Sequence, residues 1–209
     1  LLNGNRYEWF DKLEAYIRTW AEVSDHESAV YARKMNGPDK PVTTRAIAPT
    51  GTISIMAETT SVIEPIYCVA YKRRYLKANK HFYQYVVDPT AKRMIDAGIK
   101  PEDIEDTYQL SNDIERRLDV QSRLQDYTDQ AISNTINMHS WGSPSNSGSA
   151  NFEATIAKYM PRLKGLTVYP DGARSGQPLS PVSLQEALGQ EGVVYEEEGE
   201  RCLQGACGI

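Results

Sequence analysis

Two short segments carry residue types whose order suits chemistry. The first is Ala48-Pro49-Thr50-Gly51-Thr52-Ile53-Ser54. It follows a β-prone run and precedes a stretch of helical character. A strand that turns through Gly, Thr and Ser into a helix aims backbone N–H groups, hydroxyl donors and the positive end of the helix dipole at one point, which is what an anion such as a phosphate requires. The segment is not a P-loop, because the Gly-Lys-Ser/Thr ending is absent. A structural turn whose hydroxyls cap the next helix is the other reading of the same residues.

The second segment is the terminal pair Cys202 and Cys207, separated by four residues that include Gly205 and Ala206. So short and small-residue a loop closes a disulfide without much strain, and a dithiol on a polar tail suits thiol–disulfide exchange with a distant disulfide. Two cysteines without a neighbouring histidine are too few for a closed zinc site. Two incidental free thiols are the remaining reading. Cys68 sits in the apolar run Ile66-Tyr67-Cys68-Val69-Ala70 and reads as a core residue. Lys72-Arg73-Arg74 reads as a solvated face, and Glu102, Asp103, Glu105 and Asp106 as a solvated acidic cluster. His26, His81 and His139 have no ligand spacing.

The elements that must position these residues follow from periodicity and punctuation. Trp9, Leu13, Tyr16, Ile17 and Trp20 recur at three- and four-residue steps, on one face of a first helix. Loop chemistry at 35–42 ends it, and Thr43 to Ala48 is a short β-prone run. Ile53 to Thr60 is expected to be helical. Asp88-Pro89 opens a helix that Gly98 closes. Asn112 with Glu115 resembles a capping box and opens a helix expected to run to about Ser133. Asn134–Met138 and Leu166–Tyr169 read as strands, with a Ser/Gly/Asn loop at 139–151 and a helix over about 152–163 between them. A short helix fits 182–188, and the glutamate-rich remainder, 189–209, reads as a mobile tail. Alternating helices and strands point to an α/β fold with a parallel sheet or barrel.

Composition narrows the function classes. The 209 residues hold 28 acidic and 23 basic side chains, a net charge of -5. That balance argues against a nucleic-acid partner. No apolar run reaches 18 residues, so no membrane helix is expected. Three cysteines do not build a disulfide scaffold and favour a reducing, cytoplasmic setting.

The order Ala48–Ser54, Ile63-Glu64-Pro65-Ile66, Ser133–Met138 and Gly165–Gly172, followed by Cys202-x4-Cys207, resembles the C-terminal part of the large catalytic subunit of ribonucleotide reductase. The nearer likeness is to the adenosylcobalamin-dependent class II enzymes, phage-type versions included. The resemblance implies a ten-stranded α/β barrel, with residues 1–181 as its C-terminal portion and 182–209 as a mobile tail. It implies that Pro49, Thr50, Gly51, Thr52, Ile53 and Ser54 bind the substrate's phosphates. It further implies that Cys202 and Cys207 re-reduce the active-site disulfide and are recharged by thioredoxin or glutaredoxin. The partners expected are a ribonucleotide, diphosphate or triphosphate, and the N-terminal remainder of the reductase; a homodimer is compatible. The family's radical cysteine is expected upstream of residue 1, so this chain alone is expected to be inactive. Tyr169 is followed by Pro170, where class I subunits carry paired tyrosines, and Asn134 stands where class II enzymes usually have Lys. A class I large subunit with a radical-generating partner, and a non-catalytic complementing module, are the alternatives.

Overall fold

In chain order the elements are β1 (Leu2–Asn3), β2 (Arg6–Tyr7), α1 (Asp11–Lys34), α2 (Gly51–Met56), β3 (Ala70–Lys77), β4 (Lys80–Val87), α3 (Pro89–Asp96), α4 (Ile114–Gln125), β5 (Thr135–Met138), α5 (Phe152–Tyr159), β6 (Thr167–Pro170), β7 (Leu179–Pro181), α6 (Leu184–Gly189) and β8 (Val194–Glu196). This computed structural model describes residues 2–37, 41–140, 142–143, 152–173 and 177–196. They fall into two units, one from the described residues up to 69 and from 89 to 173, the other from 70–88 and 177–196. The content is α/β.

In the first unit, three extended segments run parallel. β5 and β6 pair Thr135 with Thr167 through Met138 with Pro170. α5 is the crossover between them, as a parallel pair requires. On the amino-terminal side of β5, Ile47 forms a parallel bridge with Ile132. There Ser133 N–H donates to Ile47 O (2.8 Å) and Gln130 N–H to Arg45 O (2.9 Å). The β-prone run at 43–48 is thus one bridge of pairing rather than a full strand. Side chains alternate. Ile132, Ile136 and Met138 are buried, while Ala131 is exposed and Ser133 half-buried. Ile114 and Leu118 of α4 pack with Ile136 and Met138, and Leu124 packs with Ile132.

α4 begins one residue later than the capping-box reading placed it. Asp113, not Asn112, is the N-cap and accepts from Arg116 N–H at 3.3 Å. Asn112 ends a preceding 3-10 turn, Gln109–Asn112. The helix also stops at Gln125 rather than near Ser133. Beyond it the Gln125 amide donates to Thr128 O (2.7 Å) and Gln130 O (2.8 Å), holding a bend. In α1, Leu13 is buried and Ile17 packs on the core, but Tyr16 is 64% exposed, so the expected apolar face is narrower than the spacing suggested. α1 ends where Gly37 N–H returns to Ala32 O (2.9 Å) past Asn36 at φ 53, a six-to-one helix closure. α2 begins at Gly51 and ends at Met56, earlier at both ends than expected.

The second unit is an antiparallel sheet in the order β7-β3-β4-β8. Sequence reading missed its central hairpin. The turn residues are Ala78 and Asn79, both at positive φ (48° and 62°), as the tightest hairpin turns require. Alanine gives no local sign of that conformation. β7 pairs with β3, β8 pairs with β4, and α6 packs on the sheet behind the N-cap Ser183. Part of the stretch read as a mobile tail is therefore ordered: Val194–Glu196 is a sheet strand.

Candidate functional site at the ends of the parallel segments

The route to the site starts at Asp129. Its carboxylate accepts from Thr44 N–H (2.8 Å), Thr44 Oγ1 (3.0 Å), Arg45 N–H (3.1 Å) and Arg45 Nη2 (3.0 Å). Arg45 is buried, and its fork also donates to Tyr127 O (2.8 Å), Asp25 Oδ1 (2.7 Å), Ser24 Oγ (2.8 Å) and Ala21 O (3.1 Å). The Thr44 N–H, foremost, and the Arg45 charge hold the Asp129 carboxyl below its ordinary range. Chain 43–48 is thereby fastened between α1 and the 126–130 bend, which fixes where residues 49–54 emerge.

There the backbone turns at Thr50 (φ -107°) into α2. Thr50 Oγ1 accepts from Val62 N–H at 3.0 Å, so this hydroxyl ties the turn to the returning chain. Ser54 is buried and donates to Gly51 O (2.8 Å), inside the turn. Pro49, Gly51 and Ile53 are exposed, and no atom lies within 4 Å of where a Gly51 Cβ would stand, so a ligand can approach the backbone. Thr52 contributes its place in the first turn of α2. Of the six candidate residues, Pro49, Gly51 and Ile53 face the open side, while Thr50 and Ser54 brace the turn.

A second polar group lies at the ends of β5 and β6, and sequence reasoning did not find it. Tyr108 Oη donates to Asp171 Oδ1 (2.8 Å) and lies 2.6 Å from Tyr67 Oη. The His139 ring sits 5.7 Å from that of Tyr108. Burial, with the neighbouring Tyr67 and Asp171, pushes the Tyr108 hydroxyl well above its usual range. Asp171 N–H donates to Met138 O (2.9 Å), which fixes the turn after β6. His139 and Asp171 each directly follow a parallel strand, the position where open α/β sheets place ligand groups. That placement was the available signal.

Behind the sheet lies a buried charged layer. Arg117 has no exposure and donates from Nη2 to Thr135 O (2.7 Å). Glu64 accepts from Thr135 N–H (2.6 Å); burial raises its carboxyl above the usual range, and the Arg117 charge opposes the rise. Asn134 Nδ2 donates to Gln121 Oε1 (2.7 Å), and Gln121 donates to Gly165 O (2.7 Å). Asn134 Oδ1 and Arg117 Nε and Nη1 are buried with no hydrogen-bond partner among the described residues.

Two of the four acids read as a solvated cluster are structural. Asp106 is buried and caps the 3-10 turn through Tyr108 and Gln109 N–H (both 2.9 Å). Glu105 accepts from Tyr7 N–H (2.8 Å) and Arg116 Nη1 (2.9 Å). The basic run is not simply solvated either: Lys72 lies over the Tyr83 ring (4.9 Å) and Arg73 over Tyr75 (5.3 Å). Cys68 is buried, as expected. Cys202 and Cys207 lie outside the described residues. A cleft of about 580 Å³ runs over the parallel segments, lined by residues 46–49, 130–134 and 165–167, with Pro49 the one phosphate-loop candidate in its wall.

The fold and site define an α/β protein that gathers its polar groups at the carboxyl ends of parallel strands. The family described as "Ribonucleotide reductase, barrel domain" matches residues 8–169, and the chain belongs to it. It is similar to the vitamin B12-dependent ribonucleoside-diphosphate reductase of Mycobacterium tuberculosis (strain CDC 1551 / Oshkosh), 27% identical over 178 residues, which cover 74% of this chain and 25% of the relative. The protein of the same name from Thermoplasma acidophilum is 30% identical over 176 residues, covering 74% and 22%. The chain thus spans about a quarter of the length of these relatives. Among the described residues, no helix is long and apolar enough to cross a membrane.

Proposed function

We propose that this chain is the C-terminal part of an adenosylcobalamin-dependent ribonucleotide reductase, acting on ribonucleoside diphosphates and replacing the ribose 2′-hydroxyl by hydrogen. The observation that carries the reading is the turn at 49–54. It sits at the carboxyl end of a parallel segment, with an exposed Gly51 backbone, inside the part of the chain that the barrel family matches. In this reading the substrate phosphates lie against Pro49, Thr50, Gly51, Thr52, Ile53 and Ser54, where the first-turn amides of α2 supply donors. The three parallel segments belong to a ten-stranded barrel, completed by the N-terminal remainder of the reductase, which also supplies the radical cysteine. A homodimer is compatible with this assembly. The setting proposed is the cytoplasm.

Cys202 and Cys207 are proposed to act after each turnover. One thiolate attacks the active-site disulfide, the second displaces it, and two electrons and two protons pass to the active-site pair. Thioredoxin or glutaredoxin then reduces the Cys202–Cys207 disulfide. Adenosylcobalamin, when bound, supplies radical initiation. The described residues do not form its seat. The cleft has small-ligand dimensions, a corrinoid is larger, and no group of three or more His, Cys, Asp or Glu gathers among them to hold a metal. No step through the cofactor is assigned to these residues.

The test is reduction of a ribonucleoside diphosphate by the assembled enzyme with and without adenosylcobalamin. Turnover is expected only with the cofactor; turnover that instead requires a second, radical-bearing subunit would replace this reading by class I. Cys202→Ser and Cys207→Ser are each expected to abolish thioredoxin-driven turnover and to spare turnover driven by dithiothreitol. Loss with both reductants would refute the shuttle role.

A further inference from the structure

We propose that Val62 is a positioning residue for the 49–54 turn: its backbone N–H, held in a strained conformation, orients the Thr50 hydroxyl toward a bound phosphate. The inference deepens the substrate-phosphate reading given above and rests on it.

The observation is a backbone outlier. Val62 lies at φ 52°, in the left-handed region. A β-branched side chain crowds the following carbonyl there, so valine stands where glycine or asparagine is usual. Ser61 O accepts from Glu64 N–H at 3.2 Å, which makes Val62 the first central residue of a tight turn. A positive φ at that place marks the mirror-image turns, in which glycine, asparagine and aspartate dominate.

Strain of this kind persists only where the surroundings over-determine it, and here they do. Before the turn, Thr59 N–H donates to Ser54 O (3.0 Å) and Arg93 Nη2 to Glu58 O (2.8 Å). After it, Tyr7 Oη donates to Ile63 O (2.9 Å), and Glu64 Oε1 accepts from Thr135 N–H (2.6 Å). The Val62 side chain packs against the core cluster that contains Tyr7, Ile63 and Leu110, an apolar contact that glycine would forgo.

The strained residue aims one donor. Val62 N–H meets Thr50 Oγ1 at 3.0 Å, across twelve residues of chain. A threonine hydroxyl has one proton and two lone pairs. Among the described residues, Thr50 Oγ1 accepts this bond and donates none. With one lone pair fixed on Val62, the hydroxyl keeps its proton for another acceptor, and accepting a bond strengthens its own donation. Thr50 is half-buried, so that proton remains within reach of a ligand. Val62 acts through Thr50 and touches no ligand itself.

The test uses the assembled reductase and a ribonucleoside diphosphate. Val62→Pro removes the N–H and forces φ to about -65°, whereas Val62→Gly keeps the N–H and suits a positive φ. Val62→Pro is expected to raise KM roughly tenfold, the factor for weakening one hydrogen bond to a charged group, with kcat unchanged. Val62→Gly is expected to keep the wild-type KM. An unchanged KM in Val62→Pro would overturn the proposal. An equal rise in Val62→Gly would overturn it too, because it would assign the effect to the side chain. Amide hydrogen exchange at Val62 adds a measurement that needs no variant. A phosphate that binds only the form in which Thr50 holds Val62 slows this exchange about tenfold when the nucleotide is at about ten times its dissociation constant. Exchange that nucleotide leaves unchanged would refute the coupling. Thr50→Val separates the two ideas. An unchanged KM there takes Thr50 out of the cradle, and the phosphate reading of that residue fails. A raised KM there, with an unchanged KM in Val62→Pro, leaves that reading standing and refutes the role of Val62 alone.

Discussion

Asp129→Asn isolates the fastening that delivers the 49–54 turn. Four donors within 3.1 Å converge on the Asp129 carboxylate, two from Thr44 and two from Arg45. An asparagine keeps one carbonyl oxygen and turns an N–H₂ toward the Arg45 guanidinium. Hydrogen bonds to a charged group contribute about 1.5–3 kcal/mol, against about 1 kcal/mol for neutral ones. One such bond is lost outright and the others weaken. Because Asp129 remains 23% exposed, water offsets part of the loss. The expected destabilisation is about 2–3 kcal/mol at pH 7. Its pH dependence has a definite sign. The folded-state carboxyl is held below its unfolded value of about 3.9, so the stabilisation is complete above that pH and disappears as the pH falls through the folded value. The gap between wild type and Asp129→Asn is therefore flat from pH 5 to 8 and shrinks below about pH 4. Urea denaturation followed by tryptophan fluorescence measures it, since the Trp20 ring lies 5.9 Å from the Arg45 guanidinium. A cost under about 0.5 kcal/mol, the range of ordinary surface substitutions, or a gap that widens on acidification, would refute the reasoning.

Thr50→Val leaves Val62 N–H without its acceptor; about 1 kcal/mol of stability should be lost, and the assembled enzyme should show a raised KM for nucleotide. An unchanged KM would remove Thr50 from the cradle. Tyr108→Phe deletes the hydroxyl that bridges Tyr67 and Asp171 and should cost about 1–2 kcal/mol in urea denaturation. Arg117→Met removes the cation that opposes the raised pKa of Glu64. A carboxyl raised in the folded state loses stability as pH rises through that value, so the cost of Arg117→Met should be larger at pH 8 than at pH 4.5. Equal costs at both would show that the two groups are not coupled.

The elements legible from sequence were those whose signals are local. The strands at 135–138 and 167–170 are short apolar runs between turn residues, and they lie within a residue of their expected limits. The helix at 89–96 has proline at its first position and glycine at φ 92° beyond its end. The β3–β4 hairpin was hidden because its turn residues, Ala78 and Asn79, include no glycine and its basic residues look solvated. The Lys72 head lies over Tyr83, brought in by the register of the partner strand, and the Arg73 head over Tyr75, two residues along its own strand. The phosphate-loop candidates were readable as a strand-to-helix turn. The Asp129–Arg45 fastening behind them spans 84 residues of chain, and the Tyr67–Tyr108–Asp171 group spans 41 and 63. Contacts of that separation leave no local pattern.

The uncharged residue at 134 makes sense only with the layer around it. Asn134 and Arg117 lie in the same buried layer between α4 and β5: Asn134 bonds Gln121, one turn along α4 from Arg117, and Arg117 bonds Thr135 O, one residue along β5 from Asn134. Two cations in so dry a layer would repel strongly, with little water to screen them. Arg117 already supplies the positive charge that opposes the rise in the Glu64 pKa, so a neutral amide at 134 avoids a second uncompensated charge. The neutral amide at 134 is thus accompanied by a buried arginine on the facing helix. Because Thr135 N–H is held by Glu64 and Thr135 O by Arg117, two charged side chains fix both backbone groups of the first residue of β5. The strand that ends beside His139 and Asp171 is thereby held at its start by charge and along its length by Ile136 and Met138.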